Sequence, residues 1–178
     1  MKLQFDITKK VGTSTFKLVT GAILLTANVS LHALEVRTSD HEVWGTEQIE
    51  SGKIDEGIRI LESNVNDPTG RTDRAAYLTN LCAAYILKGE LETAREYCDR
   101  GVRMQASARD SYNNRAVLNV LQGNLDDAVK DLAKAGPKDN RKHDSVGSVA
   151  YRNMVQVQAA IAAQDPKNDT LVTDNSSQ

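Results

Sequence analysis

From Gly89 to Gly101 the chain reads GELETAREYCDRG, and 34 residues further on a close copy begins: GNLDDAVKDLAKA, Gly123 to Ala135. Gly, a free position, Leu, an acid, and an Ala five places after the Gly all recur. An earlier copy, GKIDEGIRILESN from Gly52 to Asn64, carries Ile for Leu and Gly57 for the Ala. Self-similarity at a period of about 20 to 50 residues marks stacked supersecondary units, each burying its apolar face only against the next. The first two glycines are 37 apart, three more than the next two. The insertion falls in NDPTGRTD (Asn66 to Asp73), which has the Pro and Gly of a loop.

Each phrase sits at the centre of a helix-turn-helix. Before Gly89, RAAYLTNLCAAYILK places Leu78, Leu81, Cys82 and Tyr85 at helical spacing. Gly89 supplies the backbone freedom that ends this helix. Glu92 falls in the first turn of the next helix, where a carboxylate meets the positive end of the dipole. Leu91, Ala94, Cys98 and Val102 then mark an apolar face, and Ala94 is small where a partner helix must come close. The composition agrees. Aromatics are only 4% of a chain that is 40% hydrophobic, and both Phe lie before residue 17, so the core is aliphatic and suits helices.

On these residues the chain resembles the tetratricopeptide repeat (TPR) family. With Gly89 as the turn glycine, Leu78, Leu81, Cys82, Tyr85, Ala94, Cys98 and Gly101 fall on the family's signature positions. With Gly123, Tyr112, Ala116, Ala128, Leu132 and Ala135 do so. The third unit departs at Arg115 and Asn119, where the family prefers a large apolar residue and a Tyr. The first unit is more degenerate, keeping Trp44-Gly45, Gly52 and Leu61. The resemblance implies an all-α fold: a short right-handed TPR solenoid of about three units (38–69, 75–108 and 109–142). A C-terminal capping helix is expected over 144–164, where Val146, Val149, Ala150, Met154, Val157 and Ile161 form a stripe, because a repeat array needs a polar-faced cap. The polar residues 165–178 are expected to be a disordered tail.

In the family frame Cys82 and Cys98 sit at one level of a hairpin, each facing the partner helix. They read either as two small buried hydrophobes or as a disulfide stapling that hairpin, the latter favoured by an even count and an export signal. A redox role lacks a C-x-x-C motif and activating neighbours.

Residues 1–33 read as a targeting segment. Lys2, Lys9, Lys10 and Lys17 precede the apolar run LVTGAILLTANVSL (Leu18 to Leu31), and a small residue, Ala33, follows. That order is the secretory signal pattern. The run is shorter than the ~20 residues of a spanning helix, so a cleaved signal is expected ahead of an uncleaved anchor. Cleavage after Ala33 leaves 18 Lys and Arg against 23 Asp and Glu. A mildly acidic exported domain, periplasmic or secreted from a bacterial cell, is poorly suited to nucleic acid, whose phosphates need clustered cations, and has no polybasic patch for a membrane.

No catalytic, cofactor or metal constellation emerges. The chain beyond residue 33 has two histidines, His41 and His143, far apart, and neither a zinc spacing nor a G-x-S-x-G elbow. GTEQIESGK (Gly45 to Lys53) has six residues between its glycines where a phosphate loop needs four. A calcium loop beginning at Asn64 would close at Ala75 instead of a Glu. Asp126-Asp127 are helix-start charges, and DNRKHDS (Asp139 to Ser145) is a charged connector. Cofactors are therefore expected to be none, and the chain is not expected to be an enzyme.

What the resemblance implies instead is a concave groove lined by the first helix of each unit, holding a peptide or a partner helix. Candidates from the second unit are Thr79, Asn80, Ala83, Ile86 and Leu87. From the third they are Asp110, Asn113, Asn114, Val117, Val120 and Leu121, with Glu42, Thr46 and Ile49 a weaker set from the first. The Asn side chains can bond a peptide backbone whatever its sequence, or satisfy neighbouring helix backbone. Members that clamp a terminal carboxylate use Lys and Asn where Glu42 and Thr46 stand, so that subtype is not expected. The groove reads as neutral to apolar, suited to an apolar or helical ligand. An adaptor for a protein partner in the cell envelope is the leading expectation, and self-association into a homodimer through exposed end faces is the alternative.

Overall fold

The structure is a computed structural model describing residues 34–66, 70–104, 108–136 and 145–164. The targeting segment 1–33, the tail 165–178 and most of the charged connector 139–145 lie outside these. The described chain is all-α: α1 (Thr46–Glu50), α2 (Ile54–Asn64), α3 (Arg71–Lys88), α4 (Leu91–Arg103), α5 (Ala108–Leu121), α6 (Leu125–Ala135) and α7 (Ser145–Ala163), with no strand among the described residues.

The repeated glycines govern the turns. Gly52, Gly89 and Gly123 have φ of +82°, +83° and +81°, and open space surrounds the site of a Cβ at each. Glycine is there for its conformation, since an L side chain would be strained in the left-handed region. All three turns close with the same two bonds. The Gly N–H reaches three residues back, as in Gly89 to Ile86 O (3.0 Å). The following N–H reaches five back, as in Glu90 to Tyr85 O (3.0 Å). Repeated turn chemistry makes repeated hairpins: α1 packs on α2, α3 on α4, α5 on α6. Each hairpin packs on the next through α2–α3, α4–α5 and α6–α7, while α1, α3, α5 and α7 touch in series as an inner row. The outer helices bury one face each, such as Ala94, Cys98 and Val102 of α4. Enclosed by α1, α2, α4 and α5, α3 buries every residue from Ala75 to Ile86.

Gly57 has a steric reason. A Cβ there would collide with Ile49 Cδ1 and stand 2.8 Å from its Cγ1. The five-residue α1 thus lays Ile49, fully buried, into the space that Ala94 and Ala128 fill in the later hairpins.

A disulfide joins Cys82 of α3 to Cys98 of α4 (S–S 2.00 Å), both wholly buried. The residues 34 places on are Ala116 and Leu132, also buried, so the third hairpin fills this level with an ordinary apolar pair. Closing a loop of 16 residues stabilises by about 3 kcal/mol, on the view that it restricts the unfolded chain.

Arg115 and Asn119 are half of a coupled replacement. In the second hairpin Tyr85 of α3 faces Tyr97 of α4, with the buried Leu81 one turn before Tyr85 on α3. The two Tyr rings stack in parallel with centroids 5.4 Å apart, and Tyr85 Oη donates to Glu62 Oε1 of α2 at 2.6 Å. Burial first, then Glu62, pushes the Tyr85 phenol far above its ordinary range. Thirty-four residues on, all three positions change together, to Arg115, Asn119 and Asp131. Arg115 now grips both Asp131 oxygens at 2.8 Å, Asn119 donates to the same carboxylate at 3.1 Å, and Arg115 reaches Asp99 of α4 at 3.0 Å. Asp99 answers to Glu62, 37 residues earlier. An aromatic stack capped by an acid in one hairpin becomes an ion network capped by an acid in the next.

Candidate functional site

The inner row presents a line of buried amides: Asn80 on α3, Asn113 and Asn114 on α5, and Asn153 on α7, each with no exposed surface. A buried primary amide must place two donors and an acceptor. Here the partners are largely the backbone of the chain's own residues 34–39. Glu35 N–H donates to Asn153 Oδ1 (3.0 Å), and Glu35 O accepts from Asn113 Nδ2 (2.9 Å) and Asn153 Nδ2 (3.0 Å). Arg37 N–H donates to Asn114 Oδ1 (2.8 Å), while its C=O accepts from Asn114 Nδ2 (2.7 Å), so one side chain holds both polar groups of one residue. Ser39 N–H donates to Asn80 Oδ1 (2.7 Å), and Asn80 Nδ2 is held by Thr46 Oγ1 (2.8 Å). Held residues 35, 37 and 39 recur with the period of an extended backbone. Asn80 and Asn114 stand one 34-residue period apart.

Side chains of this strap alternate as well. Leu34 and Val36 are buried, while the charged side chains that alternate with them, Glu35 and Arg37, pair with the inner row. Glu35 makes a two-pronged pair with Arg152 of α7, both contacts at 2.9 Å, and this bond raises the Arg152 pKa. Arg37 Nε meets Asp110 of α5 at 3.2 Å, and its Nη2 meets Asp40 at 2.6 Å. Burial dominates at Asp110: desolvation pushes its carboxyl up to about 6 in spite of Arg37, with the Asp40 charge adding to the rise.

The groove candidates divide. Asn80, Asp110, Asn113 and Asn114 all touch the strap. Asn114 Nδ2 also lies 3.4 Å from Thr79 O of the neighbouring helix. Thr79 is turned between α3 and α5, bonding Ala75 O (2.9 Å) and Ser111 Oγ (2.6 Å). Ala83, Ile86, Val117 and Val120 are buried in the hydrophobic core, with Leu87 and Leu121 packed against it half-buried. Ile49 belongs to the α1–α2 contact instead of the groove. Glu42 is exposed, and Thr46 braces Asn80. The face is not purely neutral to apolar: Arg152 and Asp110 put both signs of charge on it, each paired with a residue of the strap.

Sequence reasoning missed Arg152, Asn153 and the strap. The helix α7 has no later copy to lend it a register. LEVRTS did carry a signal, since its apolar and charged residues alternate with period two.

Among the described residues no group of three or more His, Cys, Asp or Glu could hold a metal ion, and no helix is long and apolar enough to cross a membrane.

No family model matches the chain, and no solved structure does. Among curated proteins it is similar to two named FK506-binding protein-like. The human one is 28% identical over 137 residues, covering 68% of this chain and 39% of the relative. The rat one is 28% identical over 92 residues, covering 50% of this chain and 26% of the relative. The chain thus spans two fifths or less of the length of these relatives.

Proposed function

We propose that the chain is a non-catalytic scaffold of the tetratricopeptide-repeat type, exported to an oxidising compartment, whose inner face holds an extended peptide of a protein partner. The 34-residue spacing, the three left-handed turn glycines and the series of hairpins support the repeat reading. The Cys82–Cys98 disulfide fits export, because such bonds persist outside the reducing cytosol. One observation carries the binding reading: four fully buried Asn side chains grip the backbone of an extended segment. A grip on main chain is indifferent to side chains, as a carrier of peptides requires.

The test is crosslinking of the full chain in its host with a tag after Gln178, mapping the crosslinked residues by mass spectrometry. A dominant partner crosslinked along the inner row, and lost when Asn114 and Asn153 become Ala, supports the scaffold. Recovery of the chain alone overturns it.

A second reading, self-association, is favoured by large apolar side chains left exposed near both ends of the stack: Trp44 (77% exposed), and Tyr151 (66%) with Val155 (48%) one turn apart on α7. Its signature is a mass that rises with concentration and falls back when Trp44 and Tyr151 become Ser.

A further inference from the structure

The strap is a template of what the groove accepts. The four amides hold main chain and carry no sequence information, so selection rests on what flanks them. Arg152 offers a planar fork to a carboxylate at the Glu35 place. Asp110 offers a carboxylate to a cation two residues on, at the Arg37 place. The intervening places bury Leu34 and Val36. A segment with the charges exchanged would set an acid against a desolvated acid and a base against Arg152.

We infer that the groove's partner is an extended segment of another protein reading apolar, acidic, apolar, basic, and that Leu34–Ser39 is a resident competitor which such a segment displaces. This rests on the scaffold reading above. A second copy of this chain is the weaker occupant. Its strap would make the same contacts as the resident one, which is tethered to α1 by the short run 40–45 and bonded to it through Thr38 Oγ1, which donates to Glu50 Oε1 at 2.6 Å. Short tethers give effective concentrations in the millimolar range, so identical contacts in trans lose to those in cis. A displacing partner must bind better, and the structure shows where it can. Arg37 is divided between Asp110 at 3.2 Å and Asp40, three residues on and 64% exposed, at 2.6 Å. A segment lacking that trailing acid gives Asp110 an undivided cation.

Labelled synthetic peptides test this against the full chain by fluorescence anisotropy: LEVRTSD, its Asp40→Asn form, and that form with Glu35→Arg and Arg37→Glu. The expected order is Asp40→Asn tightest and charge-exchanged weakest, separated by ~10-fold or more. Full chain carrying Glu35→Ala and Arg37→Ala, with its own strap weakened, should take the matched peptide ~10 to 100-fold more tightly, the advantage of the tether being lost. Arg152→Glu should lower the preference for an acid at the first charged place.

Equal binding of matched and exchanged peptides overturns the inference and leaves the scaffold reading standing. Binding of none of them by a strap-weakened chain that stays helical removes both. Strap-weakened chain that dimerises instead of taking peptide overturns the choice of a heterologous occupant. If that variant loses its helicity, hydrogen exchange on the unaltered chain decides. The Glu35, Arg37 and Ser39 amides should lose protection with matched peptide and keep it with the exchanged one, and no difference between the two overturns the inference.

Discussion

Replacing Arg115 by Leu, the residue of the second hairpin, should be among the most damaging single changes in the chain, and restoring its neighbours should repair it. Arg115 makes two 2.8 Å bonds to Asp131, whose side chain is 5% exposed. Without Arg115 the Asp131 carboxylate keeps only the 3.1 Å bond from Asn119. A buried ion stripped of its partner costs about 3–5 kcal/mol. Asp99, with a side chain 36% exposed, is hydrated and adds little. The triple change Arg115→Leu, Asn119→Tyr and Asp131→Tyr rebuilds the Leu81, Tyr85 and Tyr97 cluster one period later. Asp99 is then placed to accept from the phenol introduced on α5, as Glu62 accepts from Tyr85. Exchanging a buried ion pair for well-packed hydrophobic groups is often neutral or stabilising by about 1–4 kcal/mol. The triple variant should therefore unfold within about 1 kcal/mol of the parent, or above it, giving a coupling energy far beyond the few tenths expected of independent sites. Urea unfolding of the full chain followed by far-UV circular dichroism gives all three values. A cost below about 1 kcal/mol for the single change, or a triple variant no more stable than the single, would refute the coupled-replacement argument.

Asp110 should make stability depend on pH. Its carboxyl rises from 3.8 unfolded to about 6 folded, so the folded state holds the proton more tightly. The contribution is fully present below pH about 4 and is lost as pH climbs through about 6. At about 1.4 kcal/mol per pH unit it totals about 3 kcal/mol. Asp110→Asn should remove that share of the slope, and parallel urea-midpoint profiles for the two proteins between about pH 4 and 7 would count against it. Gly57→Ala should cost about 1–3 kcal/mol by overpacking against Ile49. Shortening Ile49 to Val, which removes the colliding Cδ1 but keeps Cγ1, should recover part of that loss, as thermal melts of the two variants would show. Reduction of Cys82–Cys98 should cost about 3 kcal/mol. The pair Cys82→Ala with Cys98→Leu, copied from Ala116 and Leu132, should be insensitive to reductant and retain part of the stability, as urea midpoints with and without dithiothreitol would show.

The turns were legible because a left-handed residue demands glycine, and Gly52, Gly89 and Gly123 announce themselves at fixed offsets from small residues. Helical periodicity did the same for the apolar faces of α3 and α4. What could not be read were pairings that cross the sequence. Arg115 and Asn119 looked like departures from a pattern because the residue that compensates them, Asp131, lies on another helix. Asn80 and Asn114 stood out as polar residues on an inner helix, but nothing local says which backbone they hold. Asn153 meets its partner across 118 residues, a distance over which no periodicity speaks. Gly57 needed the position of Ile49, which depends on how short α1 is.

The strap also changes what kind of chain this is to fold. A stack of hairpins is nearly one-dimensional: each unit answers only to its neighbours, contacts are local, and the ends can fray independently. A bond between Glu35 and Asn153 closes that line on itself. Glu35, near the start of the described residues, completes its seat only after the last helix has been made and docked, whereas Ser39 and Arg37 have partners on α3 and α5. Once seated, the strap links α3, α5 and α7 in one cooperative unit, so the two ends of the stack should lose their structure together.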